Sequence, residues 1–287
     1  MSNGKVVLYA SYQTGETLPG YIRFALKHLA ETDFTVFLLT NKRPLSAETM
    51  QFLEDNKIRL YLTENHGFDF GMWRRFLKDL ANGRGDFASL DSITRLLLIN
   101  DSVVYFQNKF AEFINRAENS TADAVSLTEC DDVRPHLQSF FLYLKQEALG
   151  AFYLHLLETP EQETFNEVFH RFEIGLSRVF EEAEVQMASL YRTHLPTLFA
   201  YPELIAQGAG FIKRVLLQRD FKFKEKLHFL RYGAYDALNA NYRELALSAG
   251  LANDFKEEWL PETVSMSALQ FADRLWQKAY LIFHSKV

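Results

Sequence analysis

The sequence predicts an α/β fold, a Rossmann-type and mostly parallel sheet flanked by helices, with a helical C-terminal extension. Three observations predict it. Between Lys5 and Ile99, short apolar runs rich in β-branched and aromatic residues alternate with segments of helical periodicity, the order that builds a parallel sheet through helical crossovers. From about Phe211 onward the chain is almost wholly helical in character, its aromatic and charged residues interleaved and broken at Gly233, Gly250 and Pro261. At 287 residues there is length for one large α/β domain and an appendage, so residues 1–217 are read as the domain and 218–287 as the extension.

Taken in order, Lys5 to Ala10 (KVVLYA) is an apolar run between polar ends and suits a buried strand. Tyr21 to Leu29 reads as a helix. Phe34 to Leu39 (FTVFLL) is a second buried strand with Thr40-Asn41 at its carboxyl end. Ser46, followed three residues on by Thr49, marks a helix start, and Ala47 to Asn56 carries helical spacing. Ile58 to Leu62 makes a third strand. A polar loop punctuated by glycines leads to a helix from about Met72 to Leu80, and Arg95 to Ile99 is the fourth strand. Beyond Asp123 to Thr128 the pattern changes: His136 to Leu144 (HLQSFFLYL) resembles another strand, and helices follow from about Gln146 and Phe165.

Apolar residues make up 48% of the chain and aromatics 15%, with 26 Phe and 13 Tyr, the composition of a globular protein with a sizeable core. A formal charge of −6 gives no global basic field, so nucleic acid is not an expected partner. Cys130 has no second cysteine to pair with, and MSNGKVVLYASY lacks the basic-then-apolar layout of a signal peptide. Both predict a reducing cytoplasm. No uncharged apolar run reaches the roughly 18 residues of a membrane span. The sequence holds no HExxH or paired Cys/His spacing, no GxSxG, no GxxxxGK[ST] and no GxGxxG, so zinc, serine-hydrolase, P-loop and ordinary dinucleotide readings lack support. His28, His155 and His228 read as surface or core residues.

In open sheets of this kind, ligands bind beyond the carboxyl ends of the strands. That rule selects Ser11-Tyr12, Thr40-Asn41, Asn65 to Gly71 and Asn100 to Ser102, all polar. In Asn65-His66-Gly67-Phe68-Asp69-Phe70-Gly71 the two glycines would let backbone approach a ligand while the helix amino terminus faces an anion. The same residues also suit a plain strand-to-helix turn capped by Asp69. Asp101, where the fourth strand emerges, would either hold Mg²⁺ or Mn²⁺ together with phosphate oxygens or cap a turn. Glu173 stands beside an apolar helical face of Ile174, Leu176, Val179 and Phe180. A carboxylate there serves as a general base on a hydroxyl or as a partner of the helix dipole.

With these segments in order, the chain resembles the rhamnan synthesis protein F family of bacterial lipopolysaccharide and cell-wall polysaccharide assembly. The blocks that carry the resemblance are ENHGFDFGMW at Glu64 to Trp73, LLINDSVV at Leu97 to Val104, HLQSFFLYLK at His136 to Lys145, FEIGLSRVF at Phe172 to Phe180, and PTLFAYPELIAQGAGFIKRVLL at Pro196 to Leu217. More distantly the layout is similar to inverting family-2 glycosyltransferases of the GT-A fold. NHGFDFG takes the place of their N-x-G loop. Asn100-Asp101-Ser102 takes the place of their D-x-D metal motif, with Asp101 its only acid, and Glu173 matches the leading carboxylate of their catalytic segment. His194 lies where some relatives carry a further metal ligand.

The resemblance implies a GT-A-like domain that transfers a sugar, such as L-rhamnose from a dTDP donor, to a growing saccharide with inversion. Glu173 would be the base, and Asp101 and His194 would hold a divalent cation, Mg²⁺ or Mn²⁺. Ser11, Tyr12, Thr40 and Asn41 would border the nucleotide base. Asn65, Gly67, Asp69 and Gly71, with Asn100, would shape the ribose and diphosphate side, Trp73 packing behind them. His136, Gln138 and Ser139 would lie near donor sugar or acceptor, and Lys213 or Arg214 would meet the diphosphate. Leu269 to Val287, with Trp276, Tyr280 and Phe283 among Arg274, Lys278 and Lys286, forms an amphipathic stripe. It either rests on the inner face of a membrane carrying a lipid-linked acceptor or packs on its own domain. The alternative to an enzyme is a non-catalytic saccharide-binding or assembly subunit that keeps the fold. A metal-dependent hydrolase of nucleotide sugars is a third reading.

Overall fold

The computed structural model describes residues 4–84, 89–131, 133–193, 197, 200–218 and 242–250. The strands are β1 (Lys5–Ser11), β2 (Thr35–Asn41), β3 (Arg59–Thr63), β4 (Arg95–Asn100), β5 (Val103–Tyr105), β6 (Ala124–Cys130), β7 (His136–Leu137), β8 (Phe141–Leu144), β9 (Met187–Tyr191) and β10 (Phe211–Lys213). The helices are α1 (Gly20–Ala30), α2 (Ala47–Asp55), α3 (Phe68–Ala81), α4 (Phe110–Glu118), α5 (Gln146–Glu158), α6 (Phe165–Val168), α7 (Gly175–Glu182), α8 (Tyr201–Ala206), α9 (Val215–Gln218) and α10 (Tyr242–Ser248). A π-helical segment, Phe169–Ile174, joins α6 to α7.

The four apolar runs of the amino-terminal half lie side by side in an 8-stranded sheet of order β3-β2-β1-β4-β8-β6-β7, with β9 also paired to β6. Within it only β7 and β8 run against the common direction. This is the expected class, a mostly parallel α/β sheet flanked by helices. Because β1 pairs with β2 on one side and β4 on the other, the chain first winds away from β1 and then returns across it. The strand order reverses at this junction, the place where open α/β sheets form a ligand crevice. A separate antiparallel pair brings β10 onto β5, with Lys213 opposite Val103. The next residue, Arg214, donates its backbone N–H to Ser102 O at 2.8 Å, so two cationic residues arrive at the end of β4.

Central strands read as continuous apolar runs because both sheet faces are covered. Successive side chains alternate between them. Val7, Tyr9, Leu97, Ile99, Phe141 and Tyr143 pack with residues of α1, α4 and α10. Val6, Leu8, Leu96, Leu98, Leu142 and Leu144 pack with α3, α5 and α7. Trp73 is fully buried in the second layer and donates its indole N–H to Leu8 O at 3.3 Å, behind the loop as the sequence predicts.

Local departures have physical causes. The strand expected over His136 to Leu144 is broken into β7 and β8 at Gln138-Ser139-Phe140, where the Gln138 and Ser139 polar groups are engaged outside the sheet ladder. Helix α3 begins at Phe68 rather than Met72, capped by Gly67 in a left-handed conformation (φ 70°) without a side-chain cap. Asp69 therefore lies inside the first turn and is not the cap. The helix expected from about Phe165 begins there, on a capping box between Thr164 and Glu167, and Glu173 lies within the π-helical segment that follows instead of at a helix start. Of the helical extension, α10 packs on α1, with Tyr21 N–H donating to Ser248 Oγ at 2.9 Å. The amphipathic stripe Leu269 to Val287 lies outside the described residues. Among those described, no helix is long and apolar enough to cross a membrane.

Candidate functional site

A cleft of about 550 Å³ opens at the junction of β1 and β4. Of the residues selected from the sequence, Ser11, Tyr12, Asn65, Asp69, Asn100, Asp101, Ser139, Glu173 and Lys213 line it, as does Arg214. They come from separate parts of the chain, and the topology assembles them.

At the strand ends, Ser11 Oγ donates to Asp101 Oδ2 at 2.7 Å. Arg214 Nη1 donates to the same oxygen at 3.2 Å and also to the Tyr21 hydroxyl. Burial pushes the Asp101 carboxyl above its ordinary value, with Arg214 and Ser11 pulling the other way. Burial works against the Arg214 charge, but Asp101 and Tyr21 outweigh it and hold the guanidinium above its usual value.

Beside this pair, the Asn100 amide is fixed at both ends. Its Oδ1 accepts from Ser102 N–H at 3.1 Å, and its Nδ2 donates to Asp69 Oδ2. Asp69 Oδ1 accepts from Phe70 N–H at 3.0 Å. Burial and the nearby Glu173 carboxylate together push the Asp69 carboxyl up to about 6, against the hydrogen bonds that favour its charge.

Glu173 projects from the π-helical segment, an irregularity that recurs at functional sites because it re-aims side chains. Its Oε1 accepts from Ser139 N–H at 3.2 Å. On the adjoining residue, the Phe140 ring lies 4.3 Å from Lys213 Nζ. Burial pushes the Lys213 ammonium below its ordinary value, while Glu173, Cys130 and Asp69 favour its charge. The cleft thus holds three carboxylates, Asp69, Asp101 and Glu173, with a lysine and an arginine.

An aromatic rim completes it: Tyr12, Phe68, Phe165 and Phe169 line the cleft, and Phe165 is 69% exposed. Phe68 holds a left-handed backbone (φ 55°), a conformation that costs a non-glycine residue about 1 kcal/mol or more. The sequence reading missed Phe68, Phe165 and Phe169. Among 26 Phe, spacing alone does not separate an exposed ring from a core one.

The other selected residues among those described do not line the cleft. Asn41 Oδ1 accepts from Gln13 N–H at 2.8 Å and its Nδ2 donates to Gln13 O at 3.0 Å, bracing the loop after β1, and Thr40 is buried beside it. Gly67 and Gly71 serve the loop's own fold: Gly71 N–H donates to Gly67 O at 2.7 Å. Arg75 reaches back from α3 to hold the carbonyls of Glu64 and His66, each at 2.6 Å. Buried His136 bonds Arg134 O at 2.8 Å through Nδ1 and supports the Phe169 ring edge-on. Gln138 Oε1 accepts from Thr128 Oγ1 at 2.7 Å and from Thr197, a structural knot between β6 and β7. His194 lies outside the described residues.

Asp101 offers Mg²⁺ or Mn²⁺ a single carboxylate with one oxygen already engaged. Its Oδ2 is engaged by Ser11 and Arg214, the flanking Asn100 and Ser102 bring no charge, and the Asn100 oxygen is already taken. Among the described residues no group of three or more His, Cys, Asp or Glu is placed to hold a metal ion. A hard cation prefers free carboxylate oxygens.

No family model matches the chain, and no curated protein matches it. Among solved structures, a cytidylyltransferase from Leptospira borgpetersenii is similar at 12% identity and a TM-score of 0.38, over 80% of this chain and 95% of that one. A glycosyltransferase involved in glycosylation of the major capsid of PBCV-1 is similar at 14% identity and 0.37, over 72% and 94%. The CTP:phosphocholine cytidylyltransferase of Streptococcus pneumoniae follows at 11% and 0.38, over 65% and 89%. At such identities and scores these likenesses carry no argument about what this chain binds or does.

Proposed function

We propose that the chain is a glycosyltransferase that moves a sugar from a nucleotide-sugar donor to a hydroxyl of a saccharide, with inversion and with Glu173 as general base. The observation that carries this reading is that one cleft brings the carboxylates of Asp69 and Glu173 together with the cations Lys213 and Arg214. Transfer creates both needs at once, since the acceptor oxygen must lose a proton as the diphosphate gains negative charge.

In the proposed step the acceptor O–H proton passes to Glu173, whose Oε1 is held by Ser139 N–H. The freed oxygen bonds to the anomeric carbon as the bond to the diphosphate oxygen breaks, and one displacement inverts the centre. Lys213 and Arg214 stabilise the leaving diphosphate. Asp69, oriented by Asn100, accepts from a donor hydroxyl, and Ser11 and Tyr12 border the nucleotide. Resemblance to the rhamnan synthesis F family favours L-rhamnose from a dTDP donor and an acceptor in cell-surface polysaccharide assembly.

A panel of nucleotide sugars, read first by thermal shift and then by product analysis on the best donor, tests the reading. Transfer with inverted anomeric configuration is expected, and Glu173→Gln should fold normally and lower kcat by roughly a hundredfold or more. No nucleotide-dependent shift with any donor would overturn it. Unchanged transfer by folded Glu173→Gln would remove the base, and donor binding without turnover would favour the saccharide-binding subunit.

A further inference from the structure

We infer that the row Phe165–Phe169, running to Glu173, is the acceptor site, a ledge on which an oligosaccharide lays successive sugar rings. This rests on the proposed transfer reaction and adds to it the class of acceptor. Phe165, Phe169 and Glu173 follow one another at four-residue intervals along α6 and the π-helical segment, and all three line the cleft. Such spacing keeps side chains on one helical side. The two rings are nearly parallel, 7° between planes and 6.4 Å between centroids, and both line the cleft.

Neighbours hold the row in place. His136 meets Phe169 edge-on at 5.6 Å. At the other end Phe68 meets Phe165 edge-on at 6.0 Å, from the strained left-handed backbone that follows Gly67. A ring left 69% exposed, yet contacted by a residue in a costly conformation, is what a binding surface requires and a core does not.

The occupant follows from what the row leads to. A pyranose ring has one face of C–H groups that packs on an aromatic ring while its hydroxyls stay at the edge, free to reach polar groups. Glu173 at the end of the row must receive a hydroxyl proton, so a saccharide lying on Phe165 and Phe169 delivers its terminal hydroxyl there. A nucleobase would also stack on these rings. It would bring the charged diphosphate along the row against the Glu173 carboxylate, a like-charge contact that a neutral saccharide does not make. A ledge more than one ring long favours acceptors of two or more sugars over a monosaccharide.

The test uses the full chain with the donor found active. Phe165→Ala should leave the melting temperature nearly unchanged, because the ring is exposed, and leave nucleoside diphosphate binding unchanged. It should raise KM for an oligosaccharide acceptor roughly tenfold, with little change for a monosaccharide, and Phe165→Tyr should restore it. Equal KM for both acceptor lengths in Phe165→Ala and the unaltered protein would overturn the ledge while leaving transfer intact. Weakened nucleoside diphosphate binding would reassign the rings to the donor base and also overturn it. Absence of transfer to any acceptor would remove the underlying reaction instead.

Discussion

Ser11 Oγ donates to Asp101 Oδ2 at 2.7 Å, tying the carboxyl end of β1 to the residue that follows β4. These are the two strands between which the winding of the sheet reverses, so the bond spans the mouth of the cleft. The same carboxylate oxygen also receives Arg214, which makes Asp101 the counter-charge that brings the residue after β10 to the strand ends. Replacing Asp101 by Asn leaves a partly buried guanidinium without that charge. We expect Asp101→Asn to cost about 2 kcal/mol, a buried-pair loss reduced for partial exposure. In a double-mutant cycle read by urea unfolding, adding Arg214→Met should cost less than the sum of the single changes. Strict additivity would show that the pair contributes no coupling.

The charge arrangement also bears on metal. With Asp101 committed to Arg214, Lys213 and Arg214 are the positive groups that line the cleft. Lys213 is partly stripped of water, so its ammonium gains by meeting an anion. Nucleoside diphosphate binding, measured by calorimetry, should survive dialysis against EDTA with Kd changed less than about threefold, whereas Lys213→Met should weaken it by roughly tenfold or more. Restoration of binding by Mn²⁺ alone would instead place a cation in the site.

Much of this arrangement is legible in the residues themselves, and the exceptions are instructive. KVVLYA, FTVFLL and RLLLI declare buried parallel strands because covering both faces removes polar residues from the run. Their polar termini, Ser11 and Asn100-Asp101, then fall at one sheet edge by topology alone. Strand β6 was not legible: Ser126 and Thr128 are buried polar residues within it, the Ser126 hydroxyl donating to Thr128 O two residues on and the Thr128 hydroxyl accepting from Thr197, distant in sequence. Residues at the site but outside the strand ends divide the same way. Lys213 reaches the cleft through a three-residue pairing of β10 with β5, too short to carry periodicity. At Gly67 and Gly71 the loop's own backbone requires glycine, which is the strand-to-helix turn that the residues also suited.

Gly71 makes that point testable. A Cβ at this position would lie 1.9 Å from His66 O, a backbone atom that Arg75 also fixes and that has no freedom to retreat. Gly71→Ala should therefore destabilise the fold by about 3 kcal/mol and displace Asp69 from Asn100, costing donor binding as well. Gly83→Ala offers the contrast: it too has positive φ, at 68°, but no atom lies within 4 Å of the added carbon. Its cost should stay near 1 kcal/mol. Equal losses in urea unfolding would mean that the contact with His66 is not what excludes a side chain at Gly71.

Asp69 is expected to trade stability for its place in the site. Its folded value of about 6 stands above the ordinary 3.8, so the folded state prefers the protonated acid. The resulting stabilisation is fully present below about pH 4 and is lost as pH rises through 6. A shift of that size corresponds to about 3 kcal/mol, which partial exposure reduces to roughly 2. Asn at this position is neutral at every pH and can still accept from Asn100. Asp69→Asn should therefore match the unaltered protein in stability near pH 4, pull ahead between pH 4 and 6, and stay about 2 kcal/mol more stable at pH 7.5. Sugar transfer should fall at the same time, because the group that costs stability is the one aimed at the donor. A stability difference independent of pH in urea titrations would show that the carboxylate is not held against its preference, and a destabilised Asp69→Asn at pH 7.5 would reverse its assigned role.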